Sequence, residues 1–401
     1  MTPDTDVLEP HRQAIANRPH ASPNRLCFAA AHVVLHESYR ALDHSLDQPG
    51  TAEQIAGHID WESTMALRRR LDSLGFGIAE AMDTAQRFYL GWTAARELIE
   101  RTGAMQLPHG FVAGAGTDHL GHISGPTDLV DGTVEQCRVI QQHGGIPTIL
   151  PMPWLSLNQA TEQTYVDVYS AITAQLDGPL FVHWLGEMFL PSLRGYFPGD
   201  SFSRIMASAP GKLRGCKISL LDAELEVRIR HELLPRKQIV LTGDDFHFSR
   251  MILGGPASGP DPQPPPEVTE YQDIGPHRVA LGDFSHALLG VFDAIAEPAG
   301  LALRALAQND GTRFQQIMGP CETLGQHLFA APTQHYKAGL AFLSWLSGLQ
   351  DNAMLVNRED RARDDAHRLR CIELARACGV LASNAAVEAR ISTYQRTGKC
   401  R

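Results

Sequence analysis

Residues 213–245 read LRGCKISLLDAELEVRIRHELLPRKQIVLTGDD. Leu213–Ser219 is a short, mostly apolar run that ends on a polar residue. From Leu221 to about Glu232 the apolar positions recur at helical spacing, and Gln238–Gly243 is a second apolar run closed by Asp244 and Asp245. Two buried strands joined by one helix form the unit of a parallel sheet, because parallel neighbours need a crossover long enough to return the chain to its starting edge.

The same unit repeats on both sides. Towards the N-terminus, apolar runs occupy Pro179–Trp184, Ile146–Pro151, His109–Gly114, Phe76–Met82 and Arg25–Val34. They alternate with helical stretches near 159–176, 126–142, 85–102 and 60–74, and with an irregular helical stretch up to Ala209. Towards the C-terminus, a short helix to Leu253 is followed by the Pro/Gly-rich segment 254–266, which reads as a surface loop. An eighth strand is then expected at Val279–Gly282, with a helix from Ser285 to about Leu306. Eight strands alternating with helices predict a (β/α)8 TIM barrel. No Gly-rich phosphate loop follows the first strand, as a doubly wound sheet would lead one to expect. The division expected is a polar leader over 1–24, the barrel over 25–306 and a C-terminal helical extension over 307–401.

Composition narrows the function classes. The 401 residues carry a net charge of -10, which argues against nucleic acid or an anionic membrane as partner. No apolar run reaches spanning length, and the leader has no signal-peptide pattern. The seven cysteines (27, 137, 216, 321, 371, 378 and 400) include no CxxC pair and read as reduced thiols of a cytoplasmic protein. Of 35 basic residues only five are lysine, at 212, 217, 237, 337 and 399.

In such barrels chemistry sits at the C-terminal ends of the strands. Those positions hold His32 and His36; Glu80, Asp83 and Thr84; Asp118 and His119; Trp154; His183 and Glu187; Lys217 and Ser219; Asp244, Asp245 and His247; Asp283 and His286. Lys217 stands out, flanked by apolar residues within its strand. Burial disfavours an ammonium and so supplies the neutral amine that attacks a carbonyl to form an imine. A lysine paired with a barrel carboxylate, or snorkelling from a strand end, would give the same pattern.

Four segments in register resemble the dihydrodipicolinate synthase / N-acetylneuraminate lyase superfamily of class I lyases, in a bacterial branch described as a domain of unknown function. They are Phe111-Val-Ala-Gly-Ala-Gly-Thr-Asp, Gly215-Cys-Lys-Ile-Ser, Thr242-Gly-Asp-Asp with Leu253-Gly-Gly beyond it, and Leu328-Phe-Ala-Ala-Pro followed by Lys337. The resemblance implies a barrel with C-terminal helices, a covalent imine on Lys217 with no other cofactor, and a homo-oligomer, dimer or tetramer. The apolar stretch Leu340–Leu349, with Trp345, offers a surface for such an interface.

Two departures matter. Where the superfamily has a proton-relay tyrosine after strand four, this chain reads Pro151-Met-Pro-Trp-Leu. Where it has a Gly-Thr-Thr-Gly-Glu loop for a 2-oxo acid's carboxylate, this chain reads Ala79-Glu-Ala-Met-Asp-Thr. Acids at that position repel a carboxylate, whereas acids and indoles (Trp154, Trp184) suit a neutral polyhydroxylated ligand. The expectation is a lyase or aldolase acting on a small carbonyl substrate, a keto-sugar or sugar-acid derivative. Lys217 would be the nucleophile, with His183 and then Glu80 as proton carriers. Asp83, Thr84, Asp118, Trp154, Ser219 and Asp245 would line the substrate site. Two other readings stand beside it. One is a metal-dependent isomerase or class II aldolase in which Glu80, Asp118, His183 and Asp245 converge on a divalent cation. The other is a non-catalytic ligand-binding barrel.

Overall fold

A computed structural model describes residues 6–259 and 264–400. Residues 1–5 of the leader, 260–263 of the Pro/Gly-rich segment and Arg401 lie outside the described residues. Eight parallel strands close into a barrel: β1 Cys27–Ala30, β2 Gly77–Glu80, β3 Phe111–Ala115, β4 Ile146–Ile149, β5 Leu180–Leu185, β6 Leu213–Ser219, β7 Ile239–Thr242 and β8 His286–Leu289. Their order around the barrel is β1-β8-β7-β6-β5-β4-β3-β2. The fold is the expected TIM barrel with C-terminal helices. The strands are short and apolar on both faces because one face fills the barrel and the other packs on the helices.

Local signals set the helix starts. Asp60 accepts from the amide of Ser63 and caps Trp61–Ser73; Thr161 caps Glu162–Ala174, and Asp222 caps Ala223–Leu233. Proline opens Pro126–Gln142, where its missing N–H costs nothing. The remaining barrel helices are Arg87–Ala104, Ser201–Ser208, Phe248–Leu253 and Phe292–Ala307.

The eighth strand is not where the sequence reading put it. Val279–Gly282 falls largely within an antiparallel hairpin, Glu270–Ile274 with His277–Leu281, outside the barrel sheet. Ile274, Val279 and Leu281 pack against Phe28, Ile146 and Ile239, so the hairpin plugs the N-terminal mouth. The true strand is His286-Ala-Leu-Leu, inside the segment expected to be helical, and the helix begins only at Phe292. A four-residue buried strand has no periodicity of its own and reads like the first turn of a buried helix. Asp283 and His286 consequently leave the catalytic face. His286 accepts from the amide of Leu26 at 2.8 Å and donates to the carbonyl of Ala280 at 3.0 Å, at the closed end.

The leader contains a helix, Glu9–Ala16, whose Ile15, with the preceding Leu8, is buried. The C-terminal part forms helices Gly311–Leu328, Lys337–Leu346, Asp365–Ala377 and Ala385–Thr397. All ten residues of Lys337–Leu346 are buried by the rest of the chain. That apolar stretch therefore satisfies itself internally and is not the subunit surface that its composition suggested. Among the described residues no helix is long and apolar enough to cross a membrane.

Candidate active site

Side chains alternate along β6: Cys216 and Ile218 point to the helical layer, while Gly215, Lys217 and Ser219 face the barrel axis. In β5 the same alternation turns His183 inward and Trp184 outward, where the indole packs on Phe197 and Phe202. Trp184 is thus removed from the ligand site. His183 sits directly opposite Lys217 in the parallel register.

Lys217 lines a chamber at the C-terminal mouth. His183 and Ser219 stand beside it, Asp245 follows β7, Asp83 and Thr84 follow β2, Gly290 follows β8, and Phe329 and Tyr336 enter from the C-terminal helices. Four of the five lysines contrast with one another here. Lys212 donates to the carbonyls of Thr173 and Leu176, Lys237 to Glu270 and Lys337 to Asp83, whereas Lys217 makes no hydrogen bond among the described residues. Burial pushes the Lys217 ammonium well below its usual range, and Asp245 and Asp83 pull it part of the way back. Burial pushes the Asp245 carboxyl in the opposite direction, upward, against the amide of Val291 and Lys217 itself. Proton affinities of the amine and the carboxyl are thereby brought together.

His183 is held well below its ordinary value by burial and by Lys217, so it is a neutral imidazole. Its Nε2 lies 3.2 Å from Oγ of Ser219, and its buried Nδ1 has no partner among the described residues. Tyr336, which the sequence reading missed, places its hydroxyl 2.8 Å from Oγ1 of Thr84, with its ring stacked on Phe329 at 4.1 Å. Gly290 leaves it room, since a β-carbon there would lie 3.0 Å from the Tyr336 ring. The only sequence cue was position: Tyr336 immediately precedes Lys337, the residue singled out in the C-terminal segment.

The chamber shares Asp83, Phe88, Leu150 and Pro151 with an outer cleft of about 570 Å3 whose lining also includes Tyr89, Asp118, Trp154, Lys337 and Glu359. Lys337 is ion-paired with Asp83 at 3.0 Å and Glu359 at 3.7 Å, and His335 bonds Glu359 at 3.0 Å. Asp118 is gripped by Arg87 through two bonds, at 2.8 and 3.1 Å. Each cation of the cleft is neutralised by a neighbouring carboxylate, so among the described residues the lining is polar without an uncommitted positive charge for an anion.

The other anticipated residues are used structurally. Glu80 is wholly buried and accepts two bonds from Arg68 (2.8 and 2.9 Å), one from Thr102 and one from the amide of Ala81. With its oxygens committed and its side chain absent from both cavities, Glu80 is not a proton carrier. His32 is locked between Asp293 and Gln350. Glu187 faces solvent beside Arg194, and Asp244 holds His247 and the start of the next helix. The four residues of the metal-centred reading do not converge, because Arg68 and Arg87 take up Glu80 and Asp118.

The family described as "Protein of unknown function (DUF993)" matches residues 4–398. A search of curated proteins finds no match. Several solved structures share the fold. Dihydrodipicolinate synthase from Oceanobacillus iheyensis aligns with a TM-score of 0.55 at 15% identity, over 88% of this chain and 96% of its own. CdNal from Clostridium difficile, solved with mannosamine, aligns with a TM-score of 0.59 at 14% identity, over 89% and 99%. YagE from E. coli K12, a member of the dihydrodipicolinic acid synthase family solved with pyruvate, aligns with a TM-score of 0.59 at 12% identity, over 88% and 99%. The chain thus shares the barrel fold of these structures.

Proposed function

We propose that this chain, which belongs to the DUF993 family, is a Schiff-base-forming lyase of the class I aldolase type acting on a neutral, polyhydroxylated carbonyl compound. The observation that carries the reading is a buried lysine with a depressed proton affinity and no hydrogen bond, facing a cavity at the catalytic mouth of the barrel. A structural lysine in that position would have the partners that Lys337 has.

The chemistry follows from the groups present. Neutral Lys217 attacks the carbonyl carbon, and the oxygen takes a proton to give a carbinolamine. Asp245, whose raised proton affinity keeps a proton available, delivers it to the departing hydroxyl, and water leaves as the iminium forms. The iminium then accepts an electron pair from the adjacent bond. In a retro-aldol cleavage, a base removes the proton of the β-hydroxyl, the carbon–carbon bond breaks, and an enamine remains on Lys217. Reprotonation and hydrolysis release the second product. Tyr336, hydrogen-bonded to Thr84, and the unpartnered Nδ1 of His183 are the proton carriers within the chamber. Tyr336 would take the place of the tyrosine absent after β4.

The outer cleft supports the substrate class. Its carboxylates accept hydroxyl hydrogen bonds, Trp154 and Tyr89 offer aromatic faces, and its cations are already paired. CdNal binds an amino sugar in the same type of barrel. A cytoplasmic homo-oligomer of two or four chains completes the reading.

Borohydride trapping with a panel of keto-sugars and 2-oxo acids, read by intact mass and peptide mapping, tests it. A reduced adduct on Lys217 with keto-sugars, absent in Lys217→Ala, is expected. No adduct with any carbonyl on folded protein would overturn the class; an adduct with 2-oxo acids alone would overturn the substrate assignment.

A further inference from the structure

Away from the Lys217 chamber, the C-terminal helices bring together three metal-ligating side chains that the reading above does not use. His367 and Cys371 are four residues apart on helix Asp365–Ala377, a spacing that places both on one face. His327 reaches them from the last turn of Gly311–Leu328. One ligand atom from each of the three lies within 4.8 Å of the others. We propose that His327, His367 and Cys371 form a zinc site that clamps these two helices together.

Three observations point to a ligand. The buried Nε2 of His367 has no hydrogen-bond partner among the described residues, which is costly unless something occupies its lone pair. The His327 and His367 rings stack at 4.1 Å with a 19° tilt, an arrangement two imidazolium cations would resist. Neutral rings are the form that binds metal. His327 donates its Nε2–H to the carbonyl of His367 at 3.0 Å, which leaves Nδ1 with the lone pair and supplies the outer hydrogen bond that orients a metal-bound imidazole. Cys371 is fully buried and brings the third donor, a thiol whose proton a metal must replace. Zinc would displace that proton into solvent and bind the thiolate, with nearby Arg363 favouring the anion.

The donor set, two imidazoles and one thiolate, suits zinc and not a hard cation. Tetrahedral coordination requires ligand atoms about 3.3–3.6 Å apart, given Zn–N near 2.0–2.1 Å and Zn–S near 2.3 Å, so rotamer adjustments of about an ångström close the site. Both histidines are partly exposed, which gives the ion an entry path and a fourth position for water. The site also has structural leverage. Phe329 caps the His327 helix and lines the Lys217 chamber, and Arg363 gathers the carbonyls of Leu328, Ala330, Ala331 and Pro332 between His327 and Tyr336.

Protein expressed with zinc and passed through gel filtration should carry about one zinc per chain by elemental mass spectrometry. Replacement by cobalt should give a near-ultraviolet thiolate-to-metal band. His367→Gln and Cys371→Ser should each lower occupancy at least tenfold and abolish the band, while Cys321→Ser retains both. Chelation should lower the Tm of the unsubstituted protein but not of His367→Gln. Folded protein that binds neither metal, or zinc that persists in both His367→Gln and Cys371→Ser, would overturn the site.

Discussion

A β-carbon on Gly243 would lie 2.8 Å from Cε of Lys217 and 2.2 Å from Oγ of Ser219. Gly243, which follows β7, is therefore the floor on which Lys217 lies, and its missing side chain is what lets the lysine run across the barrel axis. Gly243 has no left-handed backbone conformation to protect, so Gly243→Ala acts by volume alone. We expect imine formation, followed by borohydride trapping, to slow at least tenfold while the far-ultraviolet circular dichroism stays unchanged. An unaltered trapping rate would mean that Lys217 reaches the carbonyl by another path.

Tyr336→Phe separates proton transfer from imine chemistry. The hydroxyl bonds Thr84 at 2.8 Å with the Asp83 carboxylate beside it, and the ring keeps its stack on Phe329 without it. Loss of a positioned acid or base typically costs about 10²–10⁴-fold. We expect kcat to fall by about that factor while Lys217 is still trapped by borohydride. Equal losses in trapping and turnover would instead assign Tyr336 to substrate positioning.

Glu80 yields a prediction about stability. It and Arg68 are both fully buried and joined by two hydrogen bonds, between β2 and helix Trp61–Ser73. Removing one partner leaves the other's charge buried and unpaired, a loss of about 3–5 kcal/mol. Arg68→Met should lower the unfolding free energy from denaturant titration by that amount, and the surviving folded fraction should form the Lys217 adduct normally. A folded variant with no adduct would return Glu80 to the catalytic centre.

The sequence showed most where periodicity and burial coincide. Leu213–Ser219 and Pro126–Gln142 have the bounds read from their patterns, and Lys217 stood out because an apolar strand leaves a lysine no bland environment. What failed did so for definable reasons. His286–Leu289 is too short to show a period, and the β-branched Val279 nearby made a more persuasive strand, so the eighth strand was misplaced and Asp283 and His286 were carried to the wrong end. Glu80 sits at a strand end like a catalytic acid, yet Arg68, twelve residues earlier, claims it, and no linear pattern records that pairing. Tyr336 lies more than a hundred residues from Lys217, on a segment that reaches the barrel mouth only through the tertiary fold. That no tyrosine follows β4 was legible; that Tyr336 stands at the mouth was not.

The charge of Asp245 near Lys217 bears on the pH dependence. Ionised Asp245 stabilises the ammonium and raises the lysine's proton affinity, against the larger effect of burial, which lowers it. Asp245→Asn removes the charge but keeps an oxygen to accept the Val291 amide at 3.1 Å. The lysine's proton affinity must then drop further, because one of the two carboxylates that oppose burial loses its charge. Imine formation needs the neutral amine, so the acid limb of the trapping rate should move to lower pH. The same carboxyl is the proposed proton donor to the departing hydroxyl, and asparagine cannot serve, so the plateau should fall by about 10²-fold or more. A limb displaced towards acid beneath a lowered plateau is the joint signature, measured by trapping across pH 5–10. A limb that moves to higher pH would show that Asp245 does not face the amine as an anion. An unchanged plateau would transfer the acid role to Tyr336 or His183.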